Sequence, residues 1–137
     1  MLKRLLLLGS VSGILAGIAS LIYQYVYKKS LGADFAGIVT VPGILISCLV
    51  GCLLAALGYF MLNKWLKGKT EIVFNLLFTI ISFASIVGPI ATKLPLDVEM
   101  PELFPGLTIP MHFFPVLAWL TLKPIFIRAN EPERRIF

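Results

Sequence analysis

No aspartate, glutamate or arginine falls in the middle of any of the four long apolar runs of this 137-residue sequence. Proton-coupled transporters usually need such a group as their coupling site, so a proton-driven pump does not fit. Also missing are a phosphate-binding glycine loop followed by lysine and serine, an HExxH pair and a CxxC pair. ATP hydrolysis and thiol redox chemistry thereby lose their usual carriers. Histidine occurs once, at His112, and cysteine twice, at Cys48 and Cys52. The cysteines lie four apart on one helical face, where the helix fixes their backbones and prevents bridging, and no nearby residue completes a metal site. They read as small packing residues. No cofactor, metal or catalytic set is expected, and the chain is read as a non-enzyme.

What is present is apolar. Hydrophobic residues make up 58% of the chain, the mean hydropathy is +0.94, and the charges gather in short clusters between the runs. Val39 to Leu62 passes 24 residues without a formal charge. At helical rise that is about 36 Å, enough to cross a hydrocarbon core of about 30 Å with some tilt. The expected fold is all-α: an integral membrane four-helix bundle, up-down-up-down, forming a single domain over 1–137. Its spans fall at about 5–27, 39–62, 72–92 and 109–127, with a long loop at 93–108.

The net charge of +5 is read by side of the membrane and not as a nucleic-acid signal. With four spans, Lys3, Arg4, Lys64, Lys67, Lys69, Lys123, Arg128, Arg134 and Arg135 share one face, and only Lys28, Lys29 and Lys93 fall on the other. Nine basic residues against three put both termini in the cytoplasm. The first run is too long for the core of a secretory signal, so it reads as a retained span. Lys123 is expected to snorkel to the cytoplasmic headgroups, and 128–137 to form a charged tail.

Small residues mark helix contacts. Gly9, Gly13 and Gly17 make two overlapping GxxxG patterns in the first run, and Gly43, Ser47, Gly51, Ala55 and Gly58 recur at helical spacing in the second. Packing of the first stripe on Gly51, Ala55 and Gly58 is the economical reading, and a homo-oligomer or a dock for a larger membrane protein the sharper one. Tyr23, Tyr25 and Tyr27 are placed to anchor at the headgroups, as is Trp65 among the middle-loop lysines.

Asn75, Thr79 and Ser82 share one face of the third run, which is expected to point into the bundle. That run ends with Ser85, Gly88 and Pro89. The loop after it carries Pro95, Pro101 and Pro105 together with apolar residues, and reads as a tether or an interfacial lid. The fourth run is expected to begin at Pro110 and to kink at Pro115, freeing carbonyls that hydroxyls of the third run could bond. His112 lies in its first turn, on the same side as Asp34, which could orient it. Asp34, Asn75, Thr79, Ser82, Ser85 and His112 are the candidate ligand-site residues.

Asp34-Phe35, Ser85-x-x-Gly88-Pro89 and Met111-His112, in that order, resemble a family of small bacterial four-helix membrane proteins of unknown function. The likeness covers most of the chain. The chain departs from the pattern in lacking a polar residue such as asparagine within the first helix, and in its longer proline-rich loop. The resemblance implies a bacterial cytoplasmic membrane location and one outer-leaflet site formed by Asp34, Ser85, Gly88, Pro89 and His112. The expected role is an accessory or assembly protein that binds another membrane protein or itself. The alternative is a binder or carrier of a small amphipathic molecule near His112. The bilayer is the constant partner.

Overall fold

The computed structural model describes residues 1–127, and the tail 128–137 lies outside the described residues. Among those described there is no strand. α1 is Leu2–Leu31, α2 Val41–Leu66, α3 Thr70–Ser85, α4 Val87–Ala91, and α5 Phe104–Ile127, preceded by a single 3-10 turn at Pro101–Leu103. Because α3 and α4 run on from one another, as do the 3-10 turn and α5, four helices are long and apolar enough to cross a membrane.

Local chemistry sets the ends. α1 stops at Gly32, whose left-handed backbone (φ 73°) lets its N–H donate to the Lys28 carbonyl at 2.9 Å. α2 starts at Thr40, whose hydroxyl oxygen accepts the Gly43 N–H, and Pro42 sits in the first turn where no donor is needed. α3 breaks from α4 at Ile86 because Pro89 has no N–H to give the carbonyl four residues back. α5 starts five residues before the expected 109. Proline is tolerated in a first turn, and it is Pro105, not Pro110, that occupies this one. The connector is correspondingly shorter, 92–100, plus the 3-10 turn.

Three apolar clusters run along the bundle. Leu5, Leu8, Ala56, Tyr59, Phe74 and Trp119 meet toward the Met1 end, Ala16, Ile44, Cys48 and Ala118 at mid-height, and Ala33, Phe35, Phe104 and Leu107 toward the Lys28 end. α1 packs mainly on α2 and α5, while α3 touches its neighbours sparsely. It docks through Phe74 and Phe78, whose rings lie 5.6 and 6.2 Å from that of Trp119.

The α1 glycines meet α2 one position away from the expected stripe. A Cβ on Gly9 would sit 2.8 Å from the Cys52 carbonyl oxygen, and one on Gly13 would sit 2.7 Å from Leu49 Cα. Cys48, Cys52 and Ala56 form the buried row. By contrast, Gly51 and Gly58 have open space where a Cβ would go, Gly43 abuts only its own Thr40 cap, and Ser47 is exposed. Neighbouring rows on a helix differ by one residue, and cysteine is small enough to accept a close backbone. Both cysteines are buried and free.

Two further groups expected at the membrane surface make internal contacts. Tyr23 and Tyr27 turn inward, donating to the Gly106 and Leu103 carbonyls of the α5 region at 2.9 and 2.6 Å, and only Tyr25 points away. The Gly106 carbonyl is the one Pro110 leaves without a helical donor, and a tyrosine of α1 supplies it. The Lys123 side chain reaches the exposed carboxylate of Glu71 in the first turn of α3. Lys123 is 5% exposed, its Nζ is 3.1 Å from Glu71 Oε1 and 4.8 Å from the centre of the Tyr59 ring, while the Glu71 side chain is 67% exposed. The ion pair and the ring together compensate a cation that the apolar layer would otherwise reject.

This asymmetry gives an expected result. Glu71→Ala leaves a buried cation and costs about 1–2 kcal/mol, discounted from the cost of breaking a fully buried pair because Glu71 faces solvent. Lys123→Met leaves only a wet carboxylate and changes stability by less than about 1 kcal/mol. Thermal unfolding in nanodiscs compares them, and a larger loss for Lys123→Met would reject this account.

Candidate functional site

In the half of the bundle toward Lys28, a cavity of about 580 Å³ lies between α1, α2, α4 and α5. α3 gives way to α4 across Ile86 at this level, and α5, continuous from Phe104 to Ile127, brings Pro115, which has no backbone N–H, to the same cavity. Ser20 contributes from α1, Gly43, Ile44, Ser47 and Cys48 from α2, Ser85 from the end of α3, and Gly88, Pro89 and Thr92 from α4 and its exit. α5 adds Phe104, Thr108, Met111, His112 and Pro115. The volume falls within the range of small-molecule sites, about 300–1,000 Å³.

Among the described residues no Asp, Glu, Lys or Arg lines this cavity. Three of its hydroxyls donate within their own helices: Ser85 Oγ to the Ser82 carbonyl at 2.6 Å, Thr92 Oγ1 to that of Gly88 at 2.7 Å, and Thr108 Oγ1 to that of Phe104 at 3.0 Å. In apolar surroundings a helical hydroxyl satisfies itself this way. Ser20 Oγ lies 4.0 Å from Cys48 Sγ. His112 Nε2 is buried with no hydrogen-bond partner among the described residues, which makes it the least satisfied buried polar atom of the lining.

Of the residues expected from sequence, Ser85 and His112 line the cavity, together with Gly88 and Pro89. Asp34 does not. Its Oδ2 accepts from Lys28 Nζ at 2.6 Å and its Oδ1 from the Ala36 N–H at 3.0 Å, at an exposed turn. The lysine hydrogen bond, and then that of Ala36, hold its carboxyl below the usual carboxylate range. A cation six residues away captures it before a histidine on another helix can.

Asn75, Thr79 and Ser82 also stand outside the lining. Thr79 is exposed and donates to the Asn75 carbonyl, Ser82 is buried and donates to the Phe78 carbonyl, and Asn75 Oδ1 is buried without a partner. The expected inward face is therefore divided: Ser82 is buried and Asn75 half-buried, while Thr79 is exposed.

Sequence reasoning missed Ser20, Thr40, Thr92 and Thr108 as lining residues, and assigned Gly43 and Ser47 to helix packing. The available signal was Gly88-Pro89, a break in a spanning run at the depth of Pro115: a break of that kind leaves space that side chains must fill or line. A second hollow of about 300 Å³ lies under the connector, walled by Pro89, Pro95, Val98, Pro101 and Phe104. Among the described residues no group of three or more His, Cys, Asp or Glu is placed to hold a metal ion.

No family model matches the chain, and neither the search of curated proteins nor that of solved structures finds a similar one.

Proposed function

We propose that the protein is a non-enzymatic membrane protein that binds or carries a small amphipathic molecule in the cavity beside His112. The observation that carries this reading is the cavity itself, a ligand-sized space walled by four of the apolar helices and bounded on α2 by the exposed small residues Gly43 and Ser47. A wall of that kind gives hydrocarbon a way in from lipid without displacing a large side chain.

The placement belongs to the same proposal. The up-down-up-down course, with both termini cytoplasmic in a bacterial cytoplasmic membrane, rests on the nine-to-three division of basic residues and puts the cavity in the outer leaflet. Kinship with the small bacterial four-helix proteins rests on the short motifs alone. No nucleic acid is invoked, because the positive charge is accounted for by orientation.

Ser47→Trp tests the reading. Tryptophan at this exposed lining position fills the cavity with little strain on the α1–α2 contact, so retention of a co-purifying amphipath is expected to fall at least about tenfold while the chain stays folded. Native mass spectrometry from nanodiscs reads the result. Undiminished retention in a folded Ser47→Trp chain sinks the cavity as the site.

An accessory or assembly role is the second reading, with a partner or a second copy on α2. It is favoured by Gly51, which is exposed with open space around it. A Gly51→Leu chain that keeps every complex seen for the parent removes that interface.

A further inference from the structure

Resting on the proposal that the cavity holds an amphipath, we infer that its ligand is an uncharged lipid whose head bears a hydroxyl, such as a long-chain alcohol or an acylglycerol, and not an ionic lipid. Charge is the first argument. With no Asp, Glu, Lys or Arg in the lining among the described residues, an anionic or cationic head would enter a low-dielectric space without a counter-charge from them. That penalty excludes ions from such sites unless they are paired.

Hydrogen-bond polarity is the second argument. A hydroxyl has one proton and two lone pairs. Ser85, Thr92 and Thr108 each direct that proton to a carbonyl of their own helix, so what they retain for a ligand is acceptor capacity. Thr40 is the converse case, its oxygen taken by the Gly43 N–H and its proton left over. Three hydroxyls whose protons are taken stand beside two, Thr40 and Ser47, whose protons are not, and Ser20 and His112 Nε2 can act in either sense, so the lining favours a head that donates as well as accepts. A hydroxyl does so and can also accept from Thr40, whereas an ether or ester can only accept.

The experiment uses the full chain in nanodiscs and three photoprobes made from one diazirine-bearing long-chain alcohol: the alcohol, its methyl ether and its sulfate ester. Adducts are mapped by peptide mass spectrometry. The alcohol is expected to label the cavity segments of α2 and α5 about tenfold more than either derivative. Ser85→Ala combined with Thr108→Val is expected to lower alcohol labelling about fivefold and leave ether labelling unchanged, with emission from buried Trp119 confirming the fold.

Equal labelling of the cavity by all three probes, or a preference for the ether or the sulfate, overturns the inference about the head while leaving the cavity a binder of amphipaths. Adducts confined to outward helix faces, with none in the cavity from any probe, overturn both.

Discussion

Gly13→Leu is expected to lower the unfolding free energy by at least about 3 kcal/mol, whereas Gly51→Leu changes it by less than about 0.5 kcal/mol. Both replace a mid-helix glycine, and both improve helix propensity. They differ in what the new atoms meet. At Gly13 the first added carbon would lie 2.7 Å from Leu49 Cα and 3.1 Å from the Cys48 carbonyl oxygen, and backbone cannot yield as a side chain can. α1 and α2 must separate, which also loosens the contacts at Gly9 and Gly17. In lipid that loss is severe, because close packing and not water exclusion holds the helices together. At Gly51 there is nothing within 4 Å. Gly17→Ala should fall between them, since the atom it strikes is the Cδ2 of Leu45, at the far end of a flexible chain. Denaturant titration in mixed micelles ranks the three, and equal losses at Gly13 and Gly51 would contradict the packing described.

The second large effect is expected at Trp119. It is 0% exposed, beside Leu5, Leu8, Ala56, Tyr59 and Phe74. Trp119→Ala is expected to cost about 3–5 kcal/mol through the void it leaves. Trp119→Phe is expected to cost less than about 1.5 kcal/mol, since the indole N–H it deletes is buried without a partner. The loss should not be uniform. Phe74 and Phe78 attach α3 to this ring, and the rest of α3 is sparsely packed. Amide exchange in Trp119→Ala should therefore rise first across Thr70–Ser85, before α1 and α2 are affected. Uniform exchange along all helices would mean that α3 does not depend on the tryptophan.

Four apolar helices were legible because charged clusters separate the runs and each run exceeds the length needed to span. Faces were less legible than lengths. Periodicity tells which residues share a face, but not which neighbour the face meets. Thus Gly51 and Ala55 were expected against α1, where Cys52 and Ala56 stand. Thr79 shares a row with Ser82 and is nevertheless exposed.

Proline misled at α5 for a different reason. Pro101, Pro105 and Pro110 look alike as helix breakers, yet Pro105 lies in a permitted first turn and Pro110 is rescued by Tyr23, which is distant in sequence. The short motifs brought Ser85, Gly88, Pro89 and His112 to attention together, and these four share the cavity wall. Asp34 did not follow, because nothing in a motif weighs the nearby Lys28.

The two tyrosines that reach from α1 to α5 also bear on how the molecule can move. They are one helical turn apart, and the carbonyls they bond are three residues apart along the chain. Sliding α1 along α5 by even a fraction of a turn breaks both bonds at once, and the next acceptable alignment lies about 5 Å away. These two helices therefore behave as a ratchet with one engaged tooth position.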